Sequence, residues 1–141
     1  MGGFNSIIFL LILFGLMMEY SSSSVSGCFT TPKTHVRVKN KLGAGKKLHL
    51  ECESKEDDLG EKALNYNQVF SWTFCGSVWT STLFFCDFWY ERNGTYVATH
   101  ADVYFQQRDN CLDCSVLVGV KGVYVVDIKN PSDWKMVATW P

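Results

Sequence analysis

Apolar and polar residues alternate strictly in two early segments of the chain, residues 36–39 and residues 48–53. In the second segment, Leu48, Leu50 and Cys52 alternate with histidine and glutamate. Alternation with a period of two places the apolar side chains on one face of a β-strand and the polar side chains on the other. Both segments are therefore predicted to be half-buried strands.

Two later segments are richer in aromatic residues. Residues 69–74 also alternate, with Phe70, Trp72 and Phe74 on one face. Residues 83–89 are apolar on both faces apart from one aspartate, which is typical of a strand that is covered on both sides. We therefore expect the second segment to lie in the middle of a sheet.

Turn signals separate the remaining apolar segments. Asn93-Gly94 and Lys121-Gly122 are two-residue hairpin signals. Residues 134–140 are predicted to form a short tail or an edge strand. The further segments predicted as strands are residues 96–99, 103–105, 114–120 and 123–128.

No segment after the N-terminal region shows the 3.6-residue period of an amphipathic helix. Seven to eight short strands with frequent turns instead predict an all-β fold, an antiparallel β-sandwich. The acidic residues 56–61 interrupt the pattern and are predicted to form a surface loop, because an apolar core does not accept that many carboxylates.

The N-terminus carries an unbroken apolar run at residues 7–18, followed by serines at positions 21–24. This run is too short to cross a bilayer, which needs roughly 20 residues, and it suits a secretory signal peptide. We therefore divide the chain into a signal peptide, residues 1–24, and one mature domain, residues 25–141. N-terminal myristoylation and a retained membrane anchor are the alternatives that the sequence leaves open.

The composition narrows the class of protein. Apolar residues make up 47% of the chain, and 13 Lys+Arg stand against 14 Asp+Glu. That apolar content excludes an intrinsically disordered chain, and the length supports one domain. The balanced charge gives no electrostatic reason to expect nucleic acid or an anionic membrane surface as a partner.

All 6 cysteines lie after the predicted signal peptide. An even number in a small secreted chain indicates a disulfide framework, although the sequence alone does not choose among the possible pairings. The Cys111-x-x-Cys114 spacing also occurs in zinc and redox motifs, but no second cysteine or histidine pair at metal-ligand spacing accompanies it. We expect structural disulfides, no metal site and no cofactor.

The histidines of the chain are the candidates for acid–base catalysis near neutral pH. They lie in predicted strands on polar faces, where solvated histidines are expected. A secreted hydrolase or nuclease that uses His49 and His100 is an alternative function, since histidine pairs can act as general acid and base.

Two predicted loops carry candidates for recognition. Glu56, Asp57 and Asp58 lack the pattern of a calcium loop, and binding specificity usually resides in loops held by a rigid scaffold. Trp79 lies among glycine, serine and threonine in a predicted loop, where an exposed tryptophan is a contact candidate. Asn93 begins the sequon Asn-Gly-Thr and is predicted to be glycosylated.

Several ordered motifs resemble the plant self-incompatibility S-protein homologue family. Residues 35–40 (HVRVKN) are similar to the first strand of that family. Residues 48–60 (LHLECESKEDDLG) are similar to its most recognisable stretch, a cysteine, a Ser-Lys pair, an acidic run and Leu-Gly. Residues 70–74 and 82–88 are similar to its central aromatic strands.

The C-terminal part of the family is matched as well, by Val103-Tyr104, Arg108-Asp109 and the Cys111-x-x-Cys114 motif. The resemblance runs from about His35 to Ile128 and thus covers nearly all of the predicted mature domain.

This resemblance implies a small secreted β-sandwich closed by disulfides, with no known catalytic activity. Four cysteines fall at the family's usual positions: Cys52, Cys86, Cys111 and Cys114. Cys28 and Cys75 do not, and we expect them to form an additional bridge between the N-terminal arm and the loop that follows residue 74. A further departure is Val116, where the family commonly has tryptophan.

The family's namesakes are ligands secreted by the stigma and recognised by a pollen surface receptor. We therefore expect a monomeric, non-enzymatic extracellular signal, without membrane insertion of the mature chain, whose partner is a plasma-membrane receptor protein on another cell. The loops expected to contact the receptor are residues 56–61, residues 76–81 with Trp79, and residues 106–110 with Arg108 and Asp109. A defence or cell-wall protein that binds polysaccharide through aromatic residues is the remaining alternative.

Overall fold

The computed structural model describes residues 28–141 except residues 78, 80, 110 and 128 and the side chain of Pro131. The predicted signal peptide lies outside the described residues and stays a prediction. The described residues form β-strands and no helix. The strands are β1 (Lys33–Lys41), β2 (Leu48–Glu53), β3 (Asp58–Leu64), β4 (Val69–Cys75), β5 (Leu83–Arg92), β6 (Thr95–Phe105), β7 (Asp113–Gly119), β8 (Gly122–Asp127) and β9 (Asn130–Thr139).

The strands form two sheets that pack face to face as a sandwich. Sheet A has 5 strands in the order β4-β1-β7-β8-β9, and sheet B has 4 strands in the order β3-β2-β5-β6. The strand pairs are antiparallel except for β1 and β7, which run parallel. The predicted all-β sandwich is confirmed, with nine strands where seven to eight were expected and with one parallel pair.

The additional strand, β3, begins inside the acidic segment that was predicted to be a loop. It pairs antiparallel with β2 at the edge of sheet B, and only Leu59 and Leu64 pack against the core. An edge strand keeps much of its surface in water and therefore tolerates exposed charges. The loop prediction is wrong for residues 58–61, which are part of the strand.

The core lies between the inner faces of the two sheets. β5 supplies its largest fully buried side chains, Phe84, Phe88 and Tyr90, which are at most 2% exposed, and burial of a phenylalanine side chain is worth about 1.5–3 kcal/mol. The opposite face of β5 is only half-buried or exposed. β5 does lie between β2 and β6, as a central strand should, but the prediction that it is covered on both sides is wrong.

Both predicted hairpins are present, and one of them is shifted. Asn93 and Gly94 connect β5 to β6 with φ values of 54° and 81°, the left-handed conformations that a type I′ turn needs. The second hairpin turns at Val120 and Lys121, because Gly122 is already paired with β9. The predicted C-terminal edge strand is confirmed as part of β9.

Candidate functional site

The disulfide bonds cluster at one end of the sandwich, which we call the disulfide end. β2, β4 and β6 finish at this end, and β3, β5 and β7 begin there. Three of the loops at this end are residues 54–57, 76–82 and 106–112. The bridges are Cys28–Cys75, Cys52–Cys86 and Cys111–Cys114. The strand ends from which these loops extend are therefore cross-linked by disulfides and form the base of the loops.

Each bridge fixes a different part of this base. Cys28–Cys75, the additional bridge expected from the sequence, ties the segment before β1 to the last residue of β4 with a Cα–Cα distance of 5.4 Å. The Cys52–Cys86 bridge joins β2 to β5 where the two residues face each other. The third bridge closes the short segment that leads into β7.

The loop between β2 and β3 is a tight turn stabilised by its own first residue. The backbone N–H of Ser54 donates to the carbonyl of Asp57 at 2.7 Å, and the backbone N–H of Asp57 donates to Ser54 Oγ at 3.1 Å. Glu56 and Asp57 are exposed at the turn, and Asp58 is exposed at the start of β3. These three candidate residues thus lie together at the disulfide end.

The loop between β4 and β5 presents Trp79, whose side chain is 91% exposed. The backbone N–H of Trp79 donates to Ser77 Oγ at 3.2 Å, and the backbone N–H of Ser77 donates to Thr82 Oγ1 at 3.2 Å. The prediction of an exposed loop tryptophan at this position is confirmed. Such a side chain offers a large apolar contact area to a partner.

The third loop reaches the second through Gln106. Its Nε2 donates to the carbonyl of Ser77 at 3.1 Å, and its Oε1 accepts from the backbone N–H of Thr82 at 2.9 Å. Gln106 lies in a predicted candidate loop, but no sequence motif signals that its side chain bridges two loops. Two of the three candidate loops are therefore held together as one surface.

Asp109 is nearly buried in its loop, and its role as a receptor contact stays a prediction. The residue is 7% exposed, because its carboxylate accepts two hydrogen bonds of 2.8 Å from Arg108 and one of 2.7 Å from the backbone N–H of Phe105. The hydrogen bonds that Arg108 donates to Asp109 raise the pKa of Arg108, although its partial burial acts in the opposite direction. Asp109 thus stabilises the loop, while Arg108 remains partly exposed.

A groove of about 470 Å³ lies between the first two loops. The 54–57 turn forms one wall, and Ser77, Ser81 and Thr82 form the other. Phe74, Leu83 and Phe85, which are half-buried, contribute to its apolar floor. Pockets of this volume are large enough to bind a small molecule or a side chain of a partner.

The outer face of sheet B, which adjoins the groove at Phe85, is acidic. Its carboxylates form two rows across the strands, because residues that pair in adjacent strands point to the same face. One row is Glu61, Glu51, Asp87 and His100, and the other is Asp58, Glu53, Phe85 and Asp102. The sequence pattern grouped the acidic residues of positions 51–61 but did not place Asp87 and Asp102 beside them, because these two lie on other strands.

The two histidines of the hydrolase alternative lie on this face, on either side of β5. His49 stacks on Trp89 with ring centroids 5.7 Å apart, whereas His100 Nδ1 lies 2.7 Å from Asp87 Oδ1. The spacing of two neighbouring strands separates their backbones by roughly 10 Å. Each imidazole is therefore held by a different partner, and neither lines the groove.

Other predicted features fall elsewhere or do not bear on the groove. Asn93 is exposed at the end of the sandwich opposite to the disulfide end, and its glycosylation stays a prediction.

Among the residues that the structure describes, no cluster of histidine, cysteine and carboxylate side chains is arranged to hold a metal ion. In the same part of the chain, no helix has the length and apolarity to span a membrane.

Two kinds of similarity point to the same family. Residues 35–140 match the family described as Plant self-incompatibility protein S1. S-protein homolog 29 of Arabidopsis thaliana is 34% identical over 106 residues, which are 74% of this chain and 76% of that protein. S-protein homolog 4 of the same plant is 31% identical over 121 residues, 85% of this chain and 72% of that protein.

A solved structure shares the fold. It represents the SPH (Self-Incompatibility Protein Homologue) proteins, described as a widespread family of small, highly stable, secreted proteins from plants. It matches with a TM-score of 0.58 at 17% identity and covers 80% of this chain and 98% of that chain. The resemblance expected from the motifs is confirmed, and the chain belongs to the plant self-incompatibility protein S1 family.

Proposed function

We propose that the mature chain is a secreted, non-enzymatic ligand that a plasma-membrane receptor protein on another plant cell recognises at the disulfide end. Secretion is supported by the apolar N-terminal run and by the description of the solved SPH structure. The disulfides support it further, because such bonds persist in oxidising extracellular environments.

The observation that carries the proposal is the convergence of the candidate loops. The 76–82 and 106–112 loops are hydrogen-bonded to each other, and the 54–57 turn faces the former across the groove. Cross-links at the base limit the conformational entropy that these loops lose on binding, so more of the contact energy remains as affinity. The exposed Trp79 is the expected main contact.

The test is binding of purified, labelled protein to plant protoplasts. Trp79→Ser is expected to weaken binding at least about tenfold, since central aromatic contacts dominate interfaces. Trp134→Ser is the matched control, because Trp134 is 50% exposed on β9 and lies outside the three loops. Equal losses of binding in the two variants, or no loss in either, contradict recognition at the disulfide end.

The same pair of variants tests the wall-binding alternative. The exposure of Trp79 also suits stacking on a sugar ring. A polysaccharide ligand is identified if the parent protein stays on protein-free cell walls, Trp79→Ser does not, and neither protein binds protoplasts.

A further inference from the structure

The groove at the disulfide end has an apolar floor that remains partly open to solvent. Phe74, Leu83 and Phe85 are each half-buried, and Phe74 is fixed by ring contacts to Phe84 at 4.7 Å and to Tyr104 at 4.9 Å. The floor is therefore preformed, and an apolar side chain that enters the groove displaces water from aromatic surface without rearrangement of the core.

The groove opens onto carboxylates on two sides. Glu56 and Asp57 stand on the 54–57 turn, and Lys55 is the basic residue of that turn. On the sheet face, Phe85 lies between Glu53 on β2 and Asp102 on β6. In the two described cross-strand rows, six carboxylates stand with a single side chain, His100, that can carry positive charge.

We propose that this groove takes one apolar or aromatic side chain from a basic, extended segment of a partner protein, with the flanking lysines or arginines of that segment lying against the acidic face of sheet B. The inference rests on the proposed function in that the partner is the receptor. It adds the chemistry of the bound segment, which is cationic and carries an apolar anchor.

Charge complementarity decides between this occupant and others. An anionic polymer or an anionic membrane is repelled by the carboxylates beside the groove, and a purely apolar segment gains no attraction from them. Because these carboxylates are exposed, their attraction for a basic segment is screened within about 10 Å at 0.1 M salt. Binding is therefore expected to weaken as the salt concentration rises.

Amide-shift titration of the isotope-labelled protein tests the proposal with a defined probe. The peptide acetyl-KKFKK-amide is expected to shift the amides of Asp57, Thr82 and Phe85. Acetyl-KKSKK-amide lacks the apolar anchor and acetyl-EEFEE-amide has the opposite charge, so both are expected to bind at least about fivefold more weakly.

Two variants identify the contacts, with thermal unfolding as the check that each is folded. Glu53→Lys removes one attraction and adds a repulsion, and it is expected to weaken peptide binding about fivefold. Glu91→Lys makes the same change at an exposed site beside the turn between β5 and β6, at the end of the sandwich opposite to the groove, and is expected to leave binding unchanged. Phe85→Ser is expected to remove the preference for the phenylalanine peptide over the serine peptide.

The outcomes separate this inference from the proposed function. The inference is overturned if the acidic peptide binds as tightly as the basic peptide. It is also overturned if the amide shifts map outside the groove or if Glu53→Lys has no effect on peptide binding. If protoplast binding depends on Trp79 but not on Glu53 or Phe85, the proposed function stands without the inference. If the basic peptide occupies the groove while the protein ignores protoplasts, the inference stands and the receptor role fails.

Discussion

Gln106 and Thr82 hold each other by two hydrogen bonds. The backbone N–H of Thr82 donates to Gln106 Oε1 at 2.9 Å, and the backbone N–H of Gln106 donates to the carbonyl of Thr82 at 2.9 Å. Gln106 Nε2 also reaches the carbonyl of Ser77. The position of the loop that carries Trp79 thus depends on one side chain of the neighbouring loop.

Replacing Gln106 by leucine is expected to lower the free energy of unfolding by about 1–3 kcal/mol, because the N–H of Thr82 and the carbonyl of Ser77 lose partners in a partly buried site. Denaturant unfolding measures the loss. Gln107→Leu is the control, since Gln107 is exposed and is expected to change stability by less than about 0.5 kcal/mol. Equal losses in the two variants contradict the role of Gln106.

The bridges are expected to differ in their contribution to stability. Cys28 and Cys75 are 47 residues apart in sequence, whereas Cys111 and Cys114 are 3 apart. In the chain-entropy model, replacement by serine costs about 4 kcal/mol for the first pair and about 1.5 kcal/mol for the second. Denaturant unfolding of the two double variants compares them. If removing the short Cys111–Cys114 bridge lowers the free energy of unfolding more than removing Cys28–Cys75, loop-closure entropy does not determine the relative contributions of the two bridges.

Gly122 occupies a position where no side chain fits. A Cβ at this residue comes within 2.2 Å of the carbonyl oxygen of Ala138 on β9. Gly122→Ala is therefore expected to cost at least about 3 kcal/mol or to prevent folding.

Gly119, in the strand before the same hairpin, is the matched control. A Cβ there meets only the carbonyl oxygen of Lys41 at 3.9 Å, an ordinary contact. Gly119→Ala is expected to unfold within a few degrees of the parent protein. Similar unfolding temperatures for the two variants refute the steric explanation.

Tyr104 makes stability depend on pH in alkaline solution. Its burial raises its pKa above 10.0, opposed by a hydrogen bond with Thr34 and assisted by Asp109. A raised pKa in the folded state means that the contribution to stability is complete below pH 10.0 and is lost as the pH rises through the folded value. The free energy of unfolding should therefore fall above pH ~10.

Tyr104→Phe tests this dependence. The variant is expected to lose less stability than the parent protein between about pH 9 and about pH 11, because the group that titrates differently in the two states is absent. Tyr96→Phe serves as the control, since Tyr96 is 60% exposed. If Tyr104→Phe does not change the slope of the free energy of unfolding against pH, other groups cause the alkaline loss of stability.

Local patterns predicted most of the strands, because alternation reports which face of a strand is buried. They did not predict which strands are neighbours. The parallel pairing of β1 with β7 joins segments that are distant in sequence, and no periodicity within either segment carries that information. β3 was missed for a related reason, since its edge position lets charged residues take the place of the apolar alternation.

The candidate loops were predictable from composition, but their contacts were not. Trp79 was identified from its polar neighbours and is exposed as expected. Asp109 was named as a contact candidate because it lies in a predicted loop, yet its carboxylate accepts hydrogen bonds from its neighbour Arg108 inside that loop. The buried Asn40 was missed altogether, although its side chain bonds the carbonyls of Lys46 and Leu64 at 2.8 Å each.

The place of the first strand in sheet A has a consequence for how the molecule is made. Val36 on β1 lies between Trp72 on β4 and Cys114 on β7. A growing chain therefore holds β1 with only one of its two partners until β7 has also been synthesised. Pairings of such long sequence separation form slowly, so we expect the β1–β7 pair to form late and the strands made before β7 to be exposed to aggregation until then.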